Sequence, residues 1–246
     1  LANLRDEEVV AMRDKWFTLV LRKEAFGLKE PPRELEEMET EDYLRAFGFS
    51  EKMIDRFFRP FFGGIFLEKD LRTSARMLLF LFSMFDRGGS ALPARGMQAI
   101  PDQLAEALPP GSLKLNTQVA HVRRGEVALE SGELLQADHI VMAVSEEAAF
   151  RLLPQGVVNT PKPARSTTCL YFAAAEADVP MKEPILHLDG DGRGPVNSAV
   201  VLSRIAPDYA PAGEHLISAS IVGMPSSHEL EQVVREQMTR WYGPCV

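Results

Sequence analysis

The first third of the chain carries apolar residues at intervals of three and four, the spacing of a helix with one buried face. Met12, Trp16, Leu19 and Val20 form such a stripe, which Asp6 is placed to cap and Gly27 to end. Pro31-Pro32 then breaks the chain. The spacing predicts a short helix over 41–47, with Thr40 as its N-cap and Gly48 as its stop. Ser50 opens the next, which carries Met53, Ile54, Phe57 and Phe58 and is interrupted at Gly63-Gly64. A fourth, from Asp70 or Thr73 to Phe85, is apolar almost all round and is expected to be buried on most sides.

After Pro93 the texture changes. Residues 97–108 predict an amphipathic helix with Ile100, Leu104 and Leu108 on one face. Short strand-like runs follow at 113–115, 119–123, 126–129 and 133–136, with Gly125 and Ser131-Gly132 where tight turns are needed. The continuous apolar run 139–144 has the pattern of a strand buried on both faces, and a helix follows it over 146–153. Further on, strands are expected at 167–173, 185–188, 198–203 and 215–222. A last helix starts near Ser226 or Ser227 and runs to Trp241, with Leu230, Val233, Val234 and Met238 inward.

Phenylalanine sharpens this division. Twelve of the 14 lie in the first 85 residues, ten of them between Phe47 and Phe85. Two readings fit: a helical core, or a core part of which lines a pocket for a large apolar molecule, with Phe57, Phe61, Phe62 and Phe66 as its wall. The chain has 246 residues and a net charge of −8, which speaks against a nucleic-acid surface. The nine-residue run 77–85 is too short to span a bilayer. Two distant cysteines, Cys169 and Cys245, and no Asn-x-Ser/Thr sequon suit the cytoplasm or another reducing compartment. The opening at Leu1, without a methionine or a signal segment, reads as an excerpt of something longer.

Chemical motifs are scarce. The run Gly190-Asp191-Gly192-Arg193-Gly194 matches neither phosphate-loop pattern, and Val200 stands where a calcium loop needs glutamate. No two of the five histidines share metal-ligand spacing, so no metal site is expected. There is no Gly-x-Ser-x-Gly elbow for a hydrolase. The acidic run 34–42 reads as a solvated face.

One stretch does carry a pattern. It runs Pro93-x-x-Gly96-Met97, then Gln103-Leu104-Ala105-x-x-Leu108, then Asn116-Thr117-x-Val119-x-x-Val122, and ends Ala137-Asp138-x-Ile140-Val141-x-Ala143-Val144. This resembles the middle of the flavin-containing amine oxidase superfamily, which includes phytoene desaturases and protoporphyrinogen oxidase. The family often has Gly-Gly-Met where this chain has Arg95-Gly96-Met97. Its Gly-x-Gly-x-x-Gly turn, which seats the pyrophosphate, and its C-terminal flavin segment have no counterpart here.

The resemblance implies an α+β (α/β) fold. One lobe is the sheet-and-meander part of an FAD-binding domain; the other is a substrate lobe of helices and a mixed β-sheet. The implied division is 1–92 for the helical part of the substrate domain, 93–154 for part of the FAD-binding domain, and 155–246 for the sheet part of the substrate domain with its terminal helix. The implied cofactor is FAD, with the backbone of Val119 beside adenine and small residues Ala143 and Val144 near the adenosine or the diphosphate. The implied reaction moves a hydride from a largely apolar small-molecule substrate to flavin. Tyr171 and Cys169 are candidates for the pocket wall. Peripheral membrane contact is compatible with such a substrate. Without the glycine turn, this stretch alone is expected to bind FAD weakly or not at all and to be inactive. The alternative is a non-catalytic module that binds a hydrophobic ligand or a partner.

Overall fold

The computed structural model describes residues 11–28, 30–226 and 228–243. Asp6, Ser227 and Cys245 lie outside them. The chain divides into two units, one formed by Leu1–Ala99 with Arg165–Val246 and the other by Ile100–Ala164. No described helix is long and apolar enough to cross a membrane.

In the first unit, α1 (Met12–Gly27), α2 (Thr40–Phe47), α3 (Glu51–Met53), α4 (Arg59–Phe66) and α5 (Ala75–Arg87) enclose a core. Leu21, Leu44, Met53, Ile54, Phe58, Phe62 and Leu78 are wholly buried there. Between α3 and α4, Ile54–Phe58 form a π-helical segment, closed by the Arg59 N–H on the Ile54 carbonyl five residues back. The helix does not break at Gly63-Gly64. A Cβ on Gly63 would stand 2.6 Å from the Glu68 carbonyl and one on Gly64 2.8 Å from Asn197 Nδ2. The glycines admit close neighbours; they do not end the helix. Thr40 is the first residue of α2 and not its cap, since its hydroxyl donates to the Thr73 carbonyl at 2.7 Å. Gly48 ends α2 at φ 108°, and the Ser50 hydroxyl accepts the Met53 N–H as expected.

Two helices differ from their patterns. In α1 the stripe Met12, Trp16 and Leu19 is 60–77% exposed, and Asp14, Thr18, Leu21 and Ala25 are buried instead. The reason is Asp14. Its two carboxylate oxygens accept the backbone N–H and the hydroxyl of Ser50 at 2.8 and 2.7 Å, which turns that side of the helix inward. Helix α5 begins after Ser74, which caps it, and buries Leu78 and Leu79 but leaves Met77, Phe80, Met84 and Phe85 about half exposed.

The rest of this unit is a four-stranded sheet of β4 (Thr167–Ala175), β5 (His187–Leu188), β6 (Val196–Val201) and β7 (Glu214–Val222), ordered β4-β7-β6-β5. Every pairing is antiparallel, which corrects the mixed sheet the resemblance implies. The short return from β5 to β6 lacks the long crossover that a parallel neighbour demands. Phe172, Ile217, Ala219, Ile221 and Val201 face α9 (Leu230–Tyr242), whose Val234 and Met238 are wholly buried against them. Val233, expected inward, is 39% exposed. The strand expected at 198–203 ends at Val201, and Ser203 lies in the short helix α8 (Leu202–Ile205).

The second unit holds α6 (Ala99–Glu106, its first residue in the other unit), the antiparallel meander β1 (Val119–Arg123), β2 (Glu126–Leu129) and β3 (Leu134–Gln136), and α7 (Glu146–Leu152). Gly125, at φ 77°, makes the turn from β1 to β2. The runs 113–115 and 139–144 are not strands. A strand exists only where a neighbour takes up its backbone groups, and among the described residues none pairs with either run. Val141 is 88% exposed, so the two-sided burial expected of 139–144 is absent. The apolar face of α6 is likewise open at Ile100 and Leu104, and Leu108, beyond the end of the helix, is exposed too. The buried hydrophobics described in this unit are Val122, Ala128 and Leu129.

Candidate functional site

Alternation along β4, β6 and β7 gives the four-stranded sheet two unlike faces. One packs on α9. The other presents Cys169, Tyr171, Ser198, Val200, Ser218 and Ser220, paired across strands as Cys169 with Ser220, Tyr171 with Ser218, and Ser198 with Ser220. Helix α4 meets this second face at one end. The Asn197 side chain donates to the Pro60 carbonyl at 2.8 Å and lies against Gly64, which fixes α4 close to β6.

Two cavities open on that face. One, of about 290 Å³, is walled by Phe61 and Ile65 of α4 and by Leu186, Ser198, Ser220 and Val222. The other, of about 520 Å³, is bordered by Leu92, Leu186, Val200, Leu202 and Arg204. They share Leu186, and among the described residues no carboxylate lines either. Arg204, the one ionisable side chain in their walls, reaches Glu176 at 3.5 Å. A third cavity of about 360 Å³ is different in kind, lined by Asp55, Arg59, Lys69, Asp189 and Asp191 around the glycine-rich loop. There the Asp189 carboxylate accepts the N–H groups of Asp191 and Gly192, and Gln237 Nε2 donates to it at 3.3 Å. Burial pushes Asp189 above the usual carboxylate range.

The expected wall residues fall in different places. Phe61 lines the smaller cavity. Phe57 is partly buried and stacks on Phe61 with ring centroids 5.5 Å apart. Phe62 and Phe66 belong to the helical core, at 0% and 7% exposure. Tyr171 is 62% exposed on the open sheet face. The Cys169 side chain beside it pushes the Tyr171 hydroxyl up, and the Cys169 Sγ lies 3.0 Å from Ser218 Oγ. Asn197, Leu186, Ser198 and Ser220 were not singled out by the sequence pattern. The signal available for the serines was their phase in the strands, on the side opposite Ile217, Ala219 and Ile221.

One arrangement looks like hydrolytic machinery and is not. Ser203 Oγ lies 2.8 Å from His215 Nδ1, and His215 Nε2 lies 4.0 Å from Glu176. Yet Ser203 is buried, and its oxygen already accepts the Leu216 N–H at 3.1 Å. The hydrogen bond between Ser203 Oγ and His215 Nδ1 ties α8 to the start of β7. Among the described residues no group of His, Cys, Asp and Glu could hold a metal ion.

In the second unit, Val119 lies in β1, the outermost strand of the meander, half buried and paired on one side with Leu129. Ala143 and Val144 are exposed just before Ser145, whose hydroxyl caps α7. Recognition of adenine through backbone N–H and C=O groups needs an open strand edge, and β1 offers one on the side away from β2. The resemblance implies that the adenine of FAD lies along this edge at Val119.

The family model for flavin containing amine oxidoreductases matches residues 13–246. No curated protein matches. Among solved structures, an oxidoreductase from Methanosarcina mazei superposes with a TM-score of 0.74 at 14% identity, over 96% of this chain and 59% of that one. A protein from Pyrococcus furiosus gives 0.71 at 14% identity, over 94% and 60%. Putrescine oxidase bound to putrescine gives 0.64 at 14% identity, over 96% and 59%. At such identity these likenesses show the fold alone, and the chain spans about three fifths of those proteins' length. The match along nearly all the sequence decides the assignment: the chain belongs to the flavin containing amine oxidoreductase family.

Proposed function

We propose that the protein is an FAD-dependent oxidoreductase that takes a hydride from a largely apolar substrate, and that this chain mainly carries its substrate domain. The observation that supports the substrate class is the pair of cavities on the open sheet face, with aromatic and aliphatic walls and no carboxylate. A diamine buried there would lose its hydration without gaining a counter-charge. A neutral molecule with a long apolar body loses little and gains burial against Phe61, Ile65, Leu186 and Leu202. The reading is therefore of the carotenoid desaturase kind rather than the polyamine kind.

FAD, when bound, supplies the two-electron chemistry by accepting the hydride. This chain's own residues bind and orient. Phe61, braced by Phe57 and held by the Asn197 contact to Pro60, forms a firm wall. Ser198 and Ser220 offer polar points at which a substrate's single oxygen is aligned. The backbone edge at Val119, with Ala143 and Val144, takes the adenosine end of the cofactor. No side chain here is assigned as an acid or base. A substrate of this kind is delivered from a lipid phase, which fits peripheral contact with a membrane.

An absorption spectrum of the purified full-length gene product tests the reading. Flavin bands are expected, with anaerobic bleaching by a conjugated or partly saturated polyene and none by putrescine. A colourless product that takes up no added FAD overturns it. Bleaching by the diamine alone would reject the substrate class while keeping the cofactor.

A further inference from the structure

Helix α1 is built the wrong way round for a helix whose only task is to pack on its own core. The buried arc is Asp14, Thr18, Leu21 and Ala25. On a wheel of 100° per residue, Met12, Trp16, Leu19 and Phe26 fall within an outward arc of about 80°. Their exposures are 77, 60, 63 and 57%. Four basic residues accompany them: Lys15 and Arg22 along one flank, Arg13 on the other, and Lys23 in the arc itself. Of the helix's two acids, Asp14 is turned inward on Ser50 and only Glu24 is exposed. So the outward face is apolar at its centre and cationic at its rim, in a chain whose net charge is −8.

A folded protein gains nothing from four large apolar side chains in water, and scattered exposure does not place them in one stripe. A protein partner would be met equally well by a rim of either sign. A cationic rim around a tryptophan-bearing stripe is complementary to an anionic lipid surface. There the apolar residues enter the acyl boundary, the indole sits among the headgroups and the cations meet phosphates. We infer that α1 is a membrane-docking helix that seats the protein on an anionic bilayer through Met12, Trp16, Leu19 and Phe26. This gives a surface to the peripheral contact proposed above. It needs no flavin, so it stands or fails separately from the redox reading.

The test is co-sedimentation of the purified protein with vesicles of phosphatidylcholine alone and of phosphatidylcholine mixed with phosphatidylglycerol. Binding is expected to the mixed vesicles, to weaken as salt is raised, and to fall at least about tenfold in the Trp16→Glu, Leu19→Glu double variant. Both positions are exposed, so the variant should fold, and circular dichroism and its melting curve check that. In a Trp241→Phe background Trp16 is the sole tryptophan, and its emission should move to the blue on vesicle addition and be quenched by brominated lipid. If the parent ignores the mixed vesicles, or the double variant binds as tightly as the parent, the inference is wrong. It is equally overturned if the stripe proves to join two copies of the chain, seen as a dimer by light scattering that the double variant dissolves and that binds no vesicles.

Discussion

Helices α1 and α9 read alike in sequence and are used in opposite ways. Each runs for three turns or more, each shows apolar residues three and four apart, and each carries one buried polar residue that reaches another element. In α9 that residue is Gln237, which accepts the Val196 N–H and donates to the Val196 carbonyl and to Asp189. It lies on the same side as Val234 and Met238, so the polar anchor and the apolar stripe agree. In α1 the anchor Asp14 lies across the helix from Met12, Trp16 and Leu19, and the anchor sets the phase. A carboxylate that satisfies both a backbone N–H and the hydroxyl of a capping serine is costly to turn outward. Four apolar side chains left at the surface are tolerable, and more so if a lipid phase receives them.

Of the two helices, the larger effect is expected in α9. Met238→Ala removes a wholly buried side chain between the helix and β7 and should lower stability by about 2–5 kcal/mol in a denaturant titration. A loss below about 1 kcal/mol would mean that the sheet's α9 face is loosely packed.

Next comes the anchor of α1. Asp14→Ala leaves the Ser50 N–H and hydroxyl without their acceptor and should cost about 1–3 kcal/mol. Thr18→Val, a few positions along on the same face, is the contrast. The Thr18 hydroxyl bonds only to the carbonyl of Asp14 in its own helix at 2.8 Å, so its loss should be far smaller. Equal losses would remove Asp14 as the residue that sets the phase.

These two helices also show how far the sequence could be read. The alternation in β4 and β7, the meander around Gly125 and the Ser50 cap were all legible, because neighbours in sequence cause each of them. What failed depended on partners distant in sequence. Gly63-Gly64 looks like a breaker until Glu68 and Asn197 are seen pressing on it. The run 139–144 has a strand's composition, but composition supplies no partner for its hydrogen bonds. The open sheet face was half legible. Tyr171 and Cys169 were found by type, whereas Asn197 and Leu186 act through where α4 and β5 come to rest.

A smaller, pH-dependent effect belongs to the loop that α9 holds. Burial is the first cause of the raised pKa of Asp189, partly offset by the N–H groups of Gly192 and Asp191. Because the folded pKa lies above the unfolded one, the folded state binds this proton more tightly. Its contribution to stability is complete below the unfolded pKa and is lost as pH rises through the folded value. Glu51, drawn down by its hydrogen bond with Arg45, has the opposite sign, but it is exposed and weakly coupled to folding. Asp189→Asn should therefore remove one falling component from the stability curve just above the ordinary carboxylate range. A difference between parent and variant that stays constant with pH would contradict this.

The smallest effect on folding is expected where the sequence pattern pointed to the core. Trp16 is 60% exposed and touches Phe17 edge-on, with ring centroids 5.2 Å apart. Trp16→Ser should cost less than about 1 kcal/mol, since one edge contact and a little burial are all it forfeits. The same change in a buried aromatic such as Phe62 should cost about 3–5 kcal/mol. If Trp16→Ser unfolds the protein as Phe62→Ser does, α1 packs by its apolar stripe after all, and its inverted phase is wrong. If instead stability holds while attachment to anionic vesicles is lost, the stripe's energy is spent outside the fold. The contrast with α9 is then one of purpose: one helix closes a core, and the other presents a surface.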